Sequence, residues 1–420
     1  MFKATPDTEV LAHRIRLRPN CKQKEYLAQA AGVARFTYNW GVAEWERQYE
    51  LSLTNAEVPR PNWMQLNQQL NAIKRKEFPW MLGITKCAPE RALMDLDKAY
   101  RNFFAKRAKH PHFHKKGVND SFYLHRNALR IKGQKLWISK LGWVRMYEPL
   151  RFTSKIMSAT VSRQADCWFV SVAVEMPKPE VKPRPHASVG VDLGCKDLAV
   201  FSTGEKITGP KPHKALLSRQ RRLQRSLSRK QKDSHNCEKA KRKLARHHMQ
   251  VANIRRDALH KLTTRLVREC TLIGIEDLNV AGMSKNHALA RSILDQGFGE
   301  FRRQLEYKAA RNGTTIVVAD RFFPSTKRCS NEECHFVLPT LSLNVRSWTC
   351  PACGTYHDRD VNSAKNLEQM AAGSAASACG EPGSDGNRVA GQPVLAKQEV
   401  SEPDVSSGMN SFYRSVKVIS

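Results

Sequence analysis

The sequence predicts a multidomain α/β protein, and three observations carry that prediction. Two short apolar runs, Ser188-Val-Gly-Val-Asp192 and Thr271-Leu-Ile-Gly-Ile-Glu276, read as buried strands that each end in a carboxylate. Residues 177–186, Pro-Lys-Pro-Glu-Val-Lys-Pro-Arg-Pro-His, form a stiff, charged linker by composition. Ahead of that linker, strand-like segments at residues 10–18 and 129–176 flank a helical block, the pattern of a β-rich unit with helices inserted into it. A chain of 420 residues has ample material for more than one core.

Charge narrows the partner class. Lys and Arg number 70 against 39 Asp and Glu, a net charge of +31. An excess of that size predicts a polyanionic partner, because each neutralised phosphate releases condensed counterions. No run approaches the roughly 18 apolar residues of a membrane span, and the N-terminus lacks the apolar core of a secretory signal. No membrane partner is therefore expected. The 11 cysteines are an odd number, scattered except for four between Cys329 and Cys353. That pattern predicts reduced thiols and one metal site in a cytoplasmic protein, not a disulfide framework.

In chain order, Val10-Leu-Ala-His-Arg14-Ile-Arg16-Leu-Arg18 ends in apolar–basic alternation, as a half-exposed strand with a phosphate-facing side would. Asn20 is a candidate N-cap for the helix that follows. Leu27, Ala31, Ala34, Tyr38, Val42 and Trp45 keep helical spacing there and are expected in the core. A second helical segment spans about 62–109, with Phe103 and Phe104 expected as core. Pro111-His-Phe-His-Lys115-Lys116 then breaks the helix with a basic loop. Strands are expected at 129–132, 136–139 and 144–147, and a hairpin over 155–175 turns at Ala165-Asp166.

Beyond the linker, Val189–Asp192 and Leu198–Phe201 predict a buried hairpin. Residues 211–256 are the most basic segment and include Arg221, Arg222, Arg225, Lys241 and Arg242. Their leucine spacing predicts two long antiparallel helices around residues 233–236, so one-sidedly positive that an anionic partner is needed to offset self-repulsion. From about residue 371 the Ala/Gly/Ser-rich sequence predicts a disordered tail, 371–420.

Two constellations carry chemistry. Cys329-Ser-Asn-Glu-Glu-Cys334 and Cys350-Pro-Ala-Cys353 form two knuckles, and four thiolates so presented suit a structural Zn²⁺ site. His335 or His357 could substitute for one cysteine. Asp192 and Glu276 on strand ends, with Asp360 at a helix start, are three carboxylates that can share one site. Hard oxygen ligands of this kind suit Mg²⁺ or Mn²⁺, and two such ions about 4 Å apart can drive phosphodiester hydrolysis. Asp197, Asp277 and Asp358 are expected to be turn or cap residues.

The order of these motifs resembles the TnpB family of transposon-encoded RNA-guided DNA endonucleases, relatives of type V CRISPR effectors. The resemblance rests on Gly190-Val-Asp192-Leu-Gly, Gly274-Ile-Glu276-Asp-Leu, the cysteine ribbon and His357-Asp-Arg-Asp360-Val-Asn-Ser-Ala-Lys-Asn. It implies a RuvC-like nuclease domain of the ribonuclease H fold at 187–370, with a zinc ribbon at 325–356 and Asp192, Glu276 and Asp360 as the catalytic metal ligands. It also implies a wedge β-barrel, residues 1–19 and 111–176, interrupted by a helical recognition domain at 20–110. The implied partners are a guide RNA from the transposon end and a double-stranded DNA target beside a short adjacent motif, with one protein copy per RNA. A prokaryotic, nucleoid-associated location follows from those partners. A nuclease-inactive RNA-guided repressor and a transposition accessory protein are the competing readings, and the presence of all three acids favours the nuclease.

Overall fold

The computed structural model describes residues 7–55, 57–180, 183–342 and 344–379. The first strand, β1 (Thr8–Arg18), alternates exposed arginines with buried Ile15 and Leu17 towards its end. Helix α1 (Cys21–Thr54) starts at Asn20, whose side chain accepts from the Gln23 N–H while Gln23 accepts from the Asn20 N–H. This capping box satisfies two otherwise orphaned donors. Helices α2 (Trp63–Ile73) and α3 (Cys87–Phe104) follow. Trp45 of α1 stacks on Tyr100 of α3 at 4.5 Å, while Phe104 stays half exposed, unlike the core position expected of it.

The chain then adds β2 (Ser121–His125), β3 (Leu129–Lys132), β4 (Lys135–Ile138), β5 (Gly142–Met146), β6 (Ile156–Gln164) and β7 (Cys167–Pro177). With β1 they make an antiparallel sheet ordered β2-β6-β7-β1-β5-β4-β3. Its two edge strands, β2 and β3, are consecutive in the chain and joined by one 3₁₀ turn, Arg126–Ala128. A link that short requires the sheet to roll until its edges approach. Strand β2 has no counterpart among the expected strands, because only Phe122 and Leu124 of its five residues turn inward.

After the linker come β8 (His186–Asp192), β9 (Ala199–Phe201), β10 (Lys206–Ile207), and helices α4 (Pro212–Ala215), α5 (Leu217–Ser228) and α6 (His235–Glu269). Arg184, within the linker, donates to Cys270 O (2.7 Å) and Thr314 Oγ1 (2.8 Å), so this end of the linker is docked. The two basic helices are unequal, 12 and 35 residues, where two long ones were expected. Leu223 and Leu227 are only half-buried, too little apolar contact to extend α5. The break falls before Ser234, which caps α6.

Strand β11 (Cys270–Ile275), helices α7 (Val280–Met283), α8 (Ala290–Gln296) and α9 (Phe298–Asn312), and strand β12 (Thr315–Val318) complete a sheet ordered β10-β9-β8-β11-β12. Strands β8, β11 and β12 are parallel, and β9 and β10 add antiparallel pairs. Two short strands, β13 (Ser347–Thr349) and β14 (Tyr356–Asp358), form the cysteine-rich insertion and lead into α10 (Arg359–Cys379).

The period-two alternation of β8 and β11 gives the central sheet two coverings. Val189, Val191, Ile273 and Ile275 pack with Leu259, Leu266, Phe301 and Leu305 of α6 and α9. On the other face, Gly190 and Gly274 lie opposite one another in register under α10. The small side chains Ala364 and Ala371 of α10 are fully buried there. These small residues allow the helix to lie on a glycine surface, and it runs on to Cys379, past the disordered boundary expected at residue 371. The rest of the expected tail, 380–420, lies outside the described residues, as does part of the linker at 181–182.

Candidate functional site

The parallel pairing of β8 with β11 sets Gly274 beside Gly190 and Ile275 beside Val191. The next residues in each strand, Asp192 and Glu276, therefore emerge side by side. Ser363 of α10, fully buried, sits between them: its Oγ lies 2.9 Å from Asp192 Oδ1 and 3.4 Å from Glu276 Oε1. Asp360 stands one turn earlier on the same helix, so the two share a face. Asp360 is partly exposed, with Arg346 3.9 Å away. Asp358 accepts from the backbone N–H groups of Asp360 and Val361 and caps the helix. Asp277 pairs with Arg302 and Arg321, and Asp197 accepts from Thr208. Asp358 thus takes the cap role expected of it, whereas Asp277 is an ion-pair residue held by two arginines and Asp197 meets a side chain of the neighbouring strand end instead of closing a turn.

Burial first, then the charge of Glu276, pushes the Asp192 carboxyl up to about 8; Asp360 adds to the rise and the Ser363 hydroxyl opposes it. A buried carboxylate among like charges is the environment that a divalent cation relieves. The donor set of hard oxygens fits Mg²⁺ or Mn²⁺ on that ground.

The four cysteines do converge. Their sulfurs all lie within 4.8 Å of one another, with Cys329–Cys353 at 3.6 Å and Cys334–Cys350 at 3.7 Å. Zn–S bonds of about 2.3 Å in a tetrahedron require S···S edges of about 3.8 Å. The cluster fits a four-thiolate zinc site. The wide first knuckle closes through Asn331, whose Oδ1 accepts from Glu333 N and whose Nδ2 donates to Thr355. His357 does not replace a cysteine; its Nε2 is 3.0 Å from Cys329 Sγ, a hydrogen-bond partner to the sulfur. Cys350→Ser is expected to drop bound zinc from about one ion per chain to well under half. Metal analysis of the purified chain checks this, and an unchanged zinc content would remove the ribbon assignment.

Arg14, Arg16 and Arg18 all reach the outer face of β1, where Arg14 lies 4.0 Å over Phe169 and Arg16 lies 4.8 Å over Tyr147. Strand register extends this face in a way the sequence alone conceals. Arg18 pairs with Arg145, Arg145 with Lys135, and Lys135 with Lys132, so four exposed cations form one row across four strands. Like charges directly opposed on a sheet repel, and exposed Trp143 and Tyr147 share the groove they line. Lys115 and Lys116 stand apart, exposed in the loop before β2. Arg221, Arg222 and Arg225 are exposed on α5. Lys241 pairs with the Glu238 carboxylate, so part of its charge is answered locally, whereas Arg242 donates to the Glu238 backbone carbonyl. Among the described residues no helix is long and apolar enough to cross a membrane.

Family profiles match three parts of the chain: "Probable transposase" over residues 171–287, "Cas12f1-like, TNB domain" over 298–367, and "Helix-turn-helix domain" over 10–52. The last segment folds here as β1 followed by the single long helix α1. A Streptomyces pristinaespiralis protein named "Putative RNA-guided DNA endonuclease" is 40% identical over 379 residues, covering 88% of this chain and 91% of that protein. The Escherichia coli protein "Putative RNA-guided DNA endonuclease InsQ" is 35% identical over 405 residues, covering 91% and 97%. The solved Cas12f1–sgRNA–target DNA complex has a chain of similar fold, with a TM-score of 0.53 at 10% identity, covering 86% of this chain and 98% of that one. Motif order, fold and near full-length similarity agree, and the chain belongs to the TnpB family, among relatives named as RNA-guided DNA endonucleases.

Proposed function

We propose that this protein is the RNA-guided DNA endonuclease of a transposable element, cutting double-stranded DNA beside a short adjacent motif where guide RNA and target pair. The observation that carries this reading is the β8–β11 register, which brings Asp192 and Glu276 together under a helix bearing Asp360. Those three residues hold Mg²⁺ or Mn²⁺ and form the catalytic set. When bound, a pair of such ions supplies an activated water and stabilises the departing oxygen of the phosphodiester.

The remaining work falls to the chain itself. The strand order β10-β9-β8-β11-β12 with α10 across it is the RuvC-like nuclease unit, and the four-cysteine ribbon is its zinc-bound insertion. The rolled N-terminal sheet is the wedge barrel, and α1 to α3 are the helical recognition domain set into it. Exposed basic residues, led by Arg14, Arg16 and Arg18 on the sheet and Arg221, Arg222 and Arg225 on α5, hold nucleic-acid backbone without reading its sequence. Sequence is then read by base pairing to the guide RNA, a division of labour that fits a large basic excess. One protein copy with one RNA is the working assembly, in a prokaryotic cytoplasm.

The test is to copurify the protein with RNA expressed from its own transposon end, then supply matched duplex DNA, Mg²⁺ and a library of adjacent motifs. Double-strand cuts leaving 5′-phosphates are expected, only where guide and target match. Binding to matched DNA with no cutting under any divalent ion would favour the repressor reading instead.

A further inference from the structure

A second hydroxyl touches the carboxylate pair, and it arrives from an unexpected direction. Ser325, only 4% exposed, donates from Oγ to Glu276 Oε1 at 2.5 Å. It belongs to the segment that leads from β12 into the cysteine ribbon, four residues before Cys329. Three side chains of α10 hold that segment in place. Asn362 donates to Arg328 O (2.7 Å) and accepts from Ser330 N (3.0 Å). Asn366 donates to Ser325 O (2.8 Å) and Arg328 O (2.7 Å), and Gln369 donates to Ser330 O (2.8 Å). Residues 362, 366 and 369 recur at helical spacing, so one face of α10 grips the ribbon's root while Ser363 touches both acids.

Buried polar side chains arranged in this way are costly unless satisfied. Here both asparagines are 1% exposed: Asn362 meets backbone groups on either side of Cys329, and the Asn366 amide donates to two carbonyls ahead of that cysteine. The grip fixes the Ser325 backbone, and the fixed backbone aims the hydroxyl. Ser363 meets Asp192 Oδ1 and, at longer range, Glu276 Oε1, while Ser325 meets Glu276 Oε1 alone, so the two hydroxyls leave Asp192 Oδ2 and Glu276 Oε2 to a cation. Hydrogen bonds to ligating carboxylates fix their rotamers and commonly change metal affinity 10- to 100-fold.

We infer that Ser325 is a positioning residue for Glu276, through which the root of the cysteine ribbon sets the affinity of the carboxylate site for divalent ions. The inference rests on the metal-binding role proposed for Asp192, Glu276 and Asp360. Ser325 itself contacts no reacting atom.

The experiment uses the full chain purified with its RNA and compares wild type, Ser325→Ala, Ser325→Thr and Asp192→Ala. Mn²⁺ binding is followed by the loss of the free-ion electron paramagnetic resonance signal, and zinc content is measured on the same samples. With zinc unchanged, Ser325→Ala is expected to weaken Mn²⁺ binding about tenfold or more. It should also raise the Mg²⁺ concentration needed for half-maximal cleavage, with the rate at saturating Mg²⁺ changed much less. Ser325→Thr, which keeps the hydroxyl, is expected to restore most of the affinity. Wild-type Mn²⁺ affinity in Ser325→Ala, alongside lost binding in Asp192→Ala, would overturn the positioning role and leave the carboxylate site standing. Wild-type affinity in Asp192→Ala would overturn the site assignment and this inference with it. Equal weakening in the alanine and threonine variants would also overturn it, because the hydroxyl would then not be the cause.

Discussion

Asp192→Ala is expected to abolish DNA cleavage, by about a thousandfold or more, while leaving guide-dependent DNA binding near wild type. Asp192 is the most buried of the three acids, accepts from Ser363 of α10 and feels the charge of both companion carboxylates. Removing a ligand that holds a charge-stabilising ion forfeits roughly 4 kcal/mol of transition-state stabilisation, and each 1.36 kcal/mol is tenfold in rate. Single-turnover cleavage and a filter-binding assay on the same preparation separate the two properties. Surviving cleavage would mean that the site lies elsewhere.

The same substitution removes a pH dependence. In the metal-free chain the folded state holds the Asp192 proton up to about 8, whereas the unfolded chain releases it in the ordinary carboxylate range. Between those values the folded state binds more protons, so this residue's contribution to stability falls as pH rises. A bound divalent ion takes the proton's place and reverses the trend. Melting temperatures from pH 5 to 9, with and without added Mg²⁺, should therefore diverge most at the alkaline end in wild type and much less in Asp192→Ala.

Gly190→Ala is expected to destabilise the nuclease half by about 3 kcal/mol or more, beyond ordinary overpacking, since rigid backbone receives the new atom. A Cβ there would collide with the Ala364 carbonyl oxygen and stand 2.6 Å from Glu368 N. Gly274 is similarly placed: its Cβ would collide with Leu367 O and lie 3.1 Å from Ala371 Cβ. The helix must lift or unwind to make room, and Ser363 would then leave both carboxylates. Denaturant unfolding of the full chain should show a lower midpoint, with cleavage lost in proportion to the folded fraction or faster. A midpoint within error of wild type would mean that α10 does not lie this close to the sheet.

The parts of this architecture written in local pattern were legible in the sequence. Runs of β-branched residues ending in Asp192 and Glu276 announce strands, and Asn20 with Gln23 announces a helix start. The cysteine knuckles announce a metal site by spacing alone. What stayed hidden depends on which strand lies beside which. Lys132, Lys135 and Arg145 are ordinary surface cations until register lines them up with Arg18. Ser325 and Ser363 look like any loop or helix serine until the fold sets them against two acids. Gly190 and Gly274 were visible inside their motifs, yet their reason lies in a helix about 90 to 170 residues further along, where the chemistry of local turns does not reach. The same geometry explains the small residues Ala364 and Ala371 within α10: they are what a helix on glycine needs.

The row of four opposed cations has a consequence for how the chain lives in the cell. An arrangement that repels itself when bare and is relieved by polyanion makes nucleic acid a stabilising ligand, whose contribution grows with its concentration relative to its dissociation constant. Guide RNA held on that row would be such a ligand from the moment of synthesis. Chain made in excess of that RNA would be the more exposed to proteolysis, so the supply of transcript itself would limit how much nuclease accumulates.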